Sequence, residues 1–232
     1  MAIEPTTANE TGLHFRGRLA KMFATSPLPP DDKMFNLFLY ARSSLLVKAL
    51  VLDDIYKRIL DIPGALVEFG VWNGQTMVLL ENLRAIHEPF NKSRKIIGFD
   101  SFEGYPDGGY QGSMSPTALE QLLEVHEGCN AFGHLRGNHE VVVCDAKQAA
   151  ARFADDPMPI ALAIFDIGTY EATAGGLNAV MGNVVPGSVL LFDEIYADGE
   201  GRAWKQMVDR NGFEYKIEKC ALYPSKTIVT LK

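Results

Sequence analysis

A doubly wound, mostly parallel α/β sheet preceded by a helical extension is the fold class that this sequence predicts, and three observations predict it. Five short apolar runs, "ALVEFG", "KIIGFD", "EVVVCD", "IALAIFD" and "SVLLFDE", recur along the chain. Segments with apolar residues at helical spacing separate them, the alternation expected of parallel strands joined by crossover helices. At the C-terminus the rhythm changes: "FEYKIEK" and "KTIVTLK" alternate around Tyr223-Pro224-Ser225 and read as an antiparallel pair.

The elements follow in order. From Met34, apolar residues at Leu37, Phe38, Ala41, Leu45, Ala49, Leu52, Ile55, Tyr56 and Ile59 keep helix spacing until Pro63-Gly64 stops it, as one long helix or two shorter ones. After the first strand, Met77, Leu80, Leu83 and Ile86 share a helical face. Ser115-Pro116 reads as an N-cap with proline at the first helical position, opening a helix through Leu119, Leu122, Leu123 and His126. Ala146, Ala149, Ala150 and Phe153 follow the third strand. Tyr170, Thr173, Ala174, Leu177, Val180, Met181 and Val184 follow the fourth, on a helix ending before Pro186-Gly187. Trp204, Met207, Val208 and Asn211 mark a last helix closed by Gly212. The expected organisation is an arm and helical extension or lid over residues 1–62 and one sheet domain over residues 63–232.

Composition limits the function classes. The 232 residues are 47% hydrophobic, enough for a sizeable core, and the formal net charge of −7 argues against a polyanion-binding surface. Cys129, Cys144 and Cys220 have neither the number nor the spacing of a disulfide framework or a zinc site. The N-terminal "MAIEPTTANETG" lacks the apolar core of a signal peptide, and no apolar run is long enough to span a bilayer. The expectation is a soluble cytoplasmic protein that binds neither nucleic acid nor membrane.

Ligands of doubly wound sheets sit at the carboxyl ends of the strands. Glu68 lies in the first strand, while Asp100, Asp145, Asp166 and Asp193-Glu194 end the others. A strand-terminal Asp is also a common helix N-cap, and Asp145 suits that role equally well. "EFGVWNGQT" puts Gly70 and Gly74 at a strand-to-helix turn, where a backbone can approach a ligand closely and free N–H groups attract an anion. Asp100 ends the next strand, where a carboxylate can accept the hydroxyls of a ribose. The G-x-G-x-x-G fingerprint is absent, and these residues alone leave S-adenosylmethionine and NAD both open. Asp166, Asp193 and Glu194, from adjacent strand ends, can meet as three hard oxygen donors of the kind that suit magnesium.

"VEFGVWNGQT", "IIGFDSFEGYP", "FDIGTYEAT", "VVPGSVLLFDE" and "DGEGRAW" occur in that order, over roughly Ala65 to Lys205. Together they resemble the macrocin O-methyltransferase family of class I S-adenosylmethionine-dependent enzymes, which methylate sugar hydroxyls of macrolides, aminocoumarins and related glycosylated natural products with a divalent metal, usually magnesium. The resemblance implies a Rossmann-like sheet of the class I methyltransferase type. It places Glu68, Gly70 and Thr76 around the methionine part of the cofactor, Gly74 in the same turn, Asp100 on the ribose, Ser101 and Phe102 beside the nucleoside, and Asp145 near the adenine. Trp72 is a further candidate wall of the site. Asp166, Asp193 and Glu194 correspond to the metal ligands, and the partner implied is a small, glycosylated acceptor.

One departure matters. The family commonly reads Asp-x-Asp-x-Tyr where this chain has Asp166-Ile167-Gly168-Thr169-Tyr170, and Gly168 cannot take a proton. Tyr170, Glu171 and Glu200 are the nearby candidates for that duty, while Asp166 is expected to hold the metal that in turn holds the acceptor hydroxyl. His139 precedes its strand and belongs at the opposite edge. The glycine-rich Tyr105 to Pro116 and the segment Tyr196 to Arg202 are expected to flank the acceptor, and the N-terminal helices to form a lid or a homo-oligomer interface. Sugar O-methyl transfer is the leading expectation. The alternatives are other chemistry on the same scaffold, prompted by Gly168, a non-catalytic S-adenosylmethionine-binding protein, or a nicotinamide oxidoreductase.

Overall fold

The apolar runs become β1 (Ala65–Phe69), β2 (Ile96–Asp100), β3 (His139–Val143), β4 (Ile160–Phe165) and β5 (Val184–Phe192), and the tail becomes β6 (Tyr215–Lys219) and β7 (Thr227–Leu231). The structure is a computed structural model that describes residues 10–104, 114–130, 137–195 and 198–232. The seven strands form one sheet in the order β3-β2-β1-β4-β5-β7-β6. β1 to β5 are parallel, and β7 runs antiparallel to both β5 and β6. The chain reverses its winding direction between β1 and β4, so the crevice of a doubly wound sheet lies there.

Eight α-helices are described: α1 (Glu10–Ala24), α2 (Pro30–Phe35), α3 (Ser43–Arg58), α4 (Gln75–His87), α5 (Pro116–Asn130), α6 (Ala150–Asp155), α7 (Tyr170–Val180) and α8 (Asp198–Asn211). The expected N-cap of α5 forms, with the Ala118 N–H donating to Ser115 Oγ at 3.2 Å. Gly212, left-handed at φ 67°, follows α8. Among the described helices none is long and apolar enough to cross a membrane.

The extension divides in two. α1 and α2 bury no residue, and Leu13, Phe15, Met22, Phe23, Met34, Phe35 and Phe38 stay exposed. α3 instead buries Val51, Leu52, Ile55 and Tyr56 against β1, β4 and α4, so it is built into the core. The other face of the sheet is an aromatic row. Phe69, Phe99, Phe165 and Phe192 sit in register on β1, β2, β4 and β5, with stacked rings 5.1, 5.2 and 4.9 Å apart. Because strand side chains alternate, the residue after each phenylalanine leaves this core face at the carboxyl edge. Those residues are Gly70, Asp100, Asp166 and Asp193.

Two adjacent elements, α7 and β5, differ from their expected boundaries. α7 ends at Val180, and Val184, Pro186 and Gly187 belong to β5. The register between β4 and β5 shifts between Ile160 and Leu162. Across that irregularity the buried Ser188 hydroxyl donates to the Ile160 carbonyl at 2.6 Å and accepts the Val185 N–H at 2.8 Å. A strand interrupted in this way tolerates a proline that a regular ladder would reject.

Candidate active site

Asp100 organises the loops after β1 and β2. One of its carboxylate oxygens accepts the Trp72 N–H and the other the Phe102 N–H, each at 2.8 Å. Trp72 and Phe102 are the two non-glycine residues with positive φ among the described residues, at 50° and 57°. Backbone strain of this kind persists only where surroundings impose it, and one carboxylate imposes both instances here. A carboxylate has about four acceptor positions, so capacity for ribose hydroxyls remains. Gly70, Gly74 and Gly104 lie at φ 91°, 73° and 83° around the same crevice. Trp72 is half exposed beside it, and Ser101 and Phe102 are partly exposed.

Glu68, on β1 beneath the glycine turn, is buried, and its Oε2 has no hydrogen-bond partner. Burial pushes its carboxyl up to about 8, against the opposing pull of Lys48 and a hydrogen bond with Thr76. A buried, unsatisfied acceptor below a glycine cradle fits a ligand that brings a positive charge, such as an α-amino group. Asp145 is exposed and accepts the Lys147 N–H at 2.9 Å, which makes it the N-cap of a short 3₁₀ helix (Ala146–Gln148).

At the ends of β4 and β5, Asp166 is exposed and lines a cavity with Lys48, Leu52, Thr76, Tyr223 and Lys226. Glu200, on α8, is buried. Its carboxylate accepts the Gly168 N–H at 3.2 Å and the Glu194 N–H at 2.9 Å, tying the loop after β4 to the loop after β5. Burial raises its carboxyl to about 7, opposed by those backbone donors. Gly168 sits at φ 63°, a left-handed position favouring glycine. The Tyr170 hydroxyl donates to Gln206 at 2.5 Å and its ring lies 3.9 Å from the Arg202 guanidinium, so it joins α7 to α8. Glu200 and Tyr170 therefore hold the loops around Asp166. Residues 105–113 and Tyr196, parts of the segments expected to flank the acceptor, lie outside the described residues.

The expected magnesium site is not formed by these side chains as they stand. Asp193 is bonded directly to the Lys226 ammonium, and no three His, Cys, Asp or Glu side chains among the described residues gather as a metal-binding group. Asp166, Asp193 and Glu194 share the sheet edge, but a divalent cation does not fit a donor set whose central carboxylate is already neutralised. His139, as expected, sits at the opposite edge, 2.8 Å from Glu127.

The model of the macrocin O-methyltransferase family matches residues 50–223. The chain belongs to the macrocin O-methyltransferase family. A tetracenomycin-C rhamnosyl 4'-O-methyltransferase of Streptomyces olivaceus is 27% identical over 147 residues, 59% of this chain, and the match spans 55% of that protein, about half its length. The crystal structure of CalS11, a calicheamicin methyltransferase, superposes with a TM-score of 0.88 at 29% identity over 97% of this chain and 94% of its own. A second, apo CalS11 structure, described as a TDP-rhamnose 3'-O-methyltransferase, gives 0.85 at 29% identity over 97% and 96%. The O-methyltransferase NovP shares the fold, at 16% identity, a TM-score of 0.63 and 79% of each chain. The sheet order is that of a class I methyltransferase.

The two raised carboxyls have a measurable consequence. Glu68 and Glu200 ordinarily titrate at 4.5 and are raised to about 8 and about 7. The folded chain then holds protons that the unfolded chain releases, so their contribution to stability falls as pH rises from about 4.5 through about 8. The melting temperature should be lower by roughly 5 °C or more at about pH 8.5 than at about pH 5.5, and Glu68→Gln should flatten the slope. A melting temperature that rises steadily over this range would contradict the assignment.

Proposed function

We propose that this protein is a sugar O-methyltransferase that carries the methyl group of S-adenosylmethionine to a hydroxyl of a small glycosylated acceptor in natural-product biosynthesis. The observation that carries this reading is the Asp100 clamp on the two strained loops after β1 and β2, beside the unsatisfied Glu68 carboxyl, in a chain of this family. Support comes also from the CalS11 likeness, which extends over nearly the whole chain. In this reading Asp100 takes the ribose hydroxyls, Gly70 and Gly74 let the backbone approach, Glu68 and Thr76 face the methionine end, and Trp72, Ser101 and Phe102 border the nucleoside.

The chemistry asked of the acceptor end is limited, because a methyl sulfonium is already a strong electrophile. An oxygen lone pair forms the new bond to the methyl carbon, and the carbon–sulfur bond breaks with its pair going to sulfur. The hydroxyl proton has to leave. Asp166, exposed in the cavity that Thr76 also lines, is the group we assign to receive it. A carboxylate is a weak base toward an alcohol, so transfer is completed only as the oxygen–carbon bond forms. Alignment of oxygen, carbon and sulfur supplies the rest.

Calorimetry with S-adenosylmethionine and its demethylated product tests the cofactor end. Both should bind, and Asp100→Ala should weaken binding by on the order of 1.5–3 kcal/mol through loss of a charge-assisted contact and release of both loops. Labelled-methyl transfer to nucleotide-linked and glycoside-linked rhamnose then tests the reaction. Absence of binding by either nucleoside, or unchanged affinity in the variant, would remove the basis of the proposal.

A further inference from the structure

The antiparallel end of the sheet brings a lysine to the carboxyl edge beside Asp193. Thr227, the first residue of β7, pairs with Phe192, the last of β5. In an antiparallel ladder the next positions outward are Lys226 and Asp193, so the register itself sets them side by side. The turn that presents Lys226 is fixed: its N–H donates to the Tyr223 carbonyl and its carbonyl accepts the Cys220 N–H, both at 2.9 Å. The Lys226 ammonium bonds Asp193 Oδ1 and lies 5.2 Å from the centre of the Tyr223 ring. The side chain is 12% exposed and Asp193 26%. Lys226 also lines the cavity that holds Asp166, Thr76 and Lys48.

We infer that Lys226 is a resident cation of the acceptor end, its ammonium holding Asp193 where a divalent metal would need that carboxylate, so that metal and lysine compete for it. Partial burial strengthens the pair. A metal taking Asp193 would leave a mostly buried ammonium without its carboxylate, a cost subtracted directly from metal affinity. An ammonium has three N–H donors, enough to serve Asp193 and an acceptor oxygen at once. In the proposed transfer, a second N–H of Lys226 donates to the acceptor oxygen and fixes its position beside Asp166, whose carboxylate takes the hydroxyl proton. That use rests on the proposed methyl transfer, whereas the competition at Asp193 does not.

Manganese binding to the full-length chain, followed by calorimetry and by electron paramagnetic resonance without cofactor or acceptor, isolates the competition. Lys226→Met should bind manganese at least about tenfold more tightly than the unmodified chain, and adding Asp193→Asn should abolish the gain. Lys226→Gln, with melting curves for every variant, provides a second reading should the methionine variant fail to fold. Equally tight binding by the unmodified chain, or no gain in either lysine variant, overturns the inference. Because no methyl transfer is measured, that result is separable from failure of the proposed activity.

Discussion

Gly70→Ala should cost both the cofactor and several degrees of thermal stability, although it adds a single methyl group. A Cβ at Gly70 would stand 2.1 Å from the Asp166 carbonyl oxygen and 2.8 Å from its carbonyl carbon. Backbone cannot yield as a side-chain tip can, because β1 and β4 are locked there. The Asp166 N–H donates to the Phe69 carbonyl and the Gly70 N–H to the Phe99 carbonyl, each at 3.0 Å. The residue also lies at φ 91°, outside the range most side chains accept. Overpacking and backbone strain together should destabilise by about 2–5 kcal/mol, or roughly 5–15 °C in melting temperature. The same displacement moves the cofactor turn and Asp166 together, so S-adenosylmethionine affinity should fall more than about tenfold even well below the melting point. Gly128→Ala, inside α5 where an added Cβ meets nothing within 4 Å, is the control and should leave cofactor affinity unchanged and stability equal or slightly higher. Wild-type affinity in Gly70→Ala would show that the turn does not bound the cofactor.

The carboxyl edge was legible in the sequence because its pattern is local: four of the five apolar runs end on a phenylalanine followed by glycine or aspartate, the third having Cys144 in that place, and strand alternation does the rest. The same locality hid the extent of β5. Its first residues carry Pro186-Gly187, which punctuates a sequence like a helix stop, and only the Ser188 bridge to Ile160 shows why the strand continues through them. Lys226 escaped for a different reason. It stands 33 residues from Asp193, and nothing in its neighbourhood marks it except the turn before an alternating strand. Finding it requires the β5–β7 register, a tertiary fact. Tyr170 and Glu200 were visible as polar residues near the site, but their duties depend on partners in α8 and in the loops. Asp145 illustrates how a strand-terminal acid can serve its own helix: its side chain is spent on the Lys147 N–H.

Arg94→Met should be among the most destabilising single changes in the chain while leaving cofactor affinity intact. Arg94 lies before β2, at the amino edge and therefore away from the site, with 2% of its side chain exposed. Its guanidinium donates to the carbonyls of Ile59, Ile62 and Gly64 at 3.1, 2.7 and 2.8 Å and to both Glu88 oxygens at 3.0 and 2.9 Å. These contacts join the end of α3 to the start of β1 and to the turn after α4. The Tyr56 hydroxyl donates to the same Glu88 carboxylate at 2.7 Å. Burial raises the Glu88 carboxyl, but Arg94, Tyr56 and Asn91 outweigh it and hold it below its usual range. Methionine fills a similar volume yet abandons three carbonyls and a mostly buried charge, a loss of about 3–5 kcal/mol, or on the order of 10 °C in melting temperature. Lysine should recover little, since a point charge cannot serve the five acceptor atoms that the planar fork reaches. Glu88→Gln with Arg94→Met should restore part of the loss by removing the stranded carboxylate, because that charge, and not only the missing bonds, accounts for the cost. A depressed Glu88 contributes stability above its unfolded value that is lost on acidification, so the gap between wild type and Arg94→Met should narrow below about pH 4. A shift of less than about 2 °C at neutral pH would show that the α3–β1 junction is held by its apolar contacts alone.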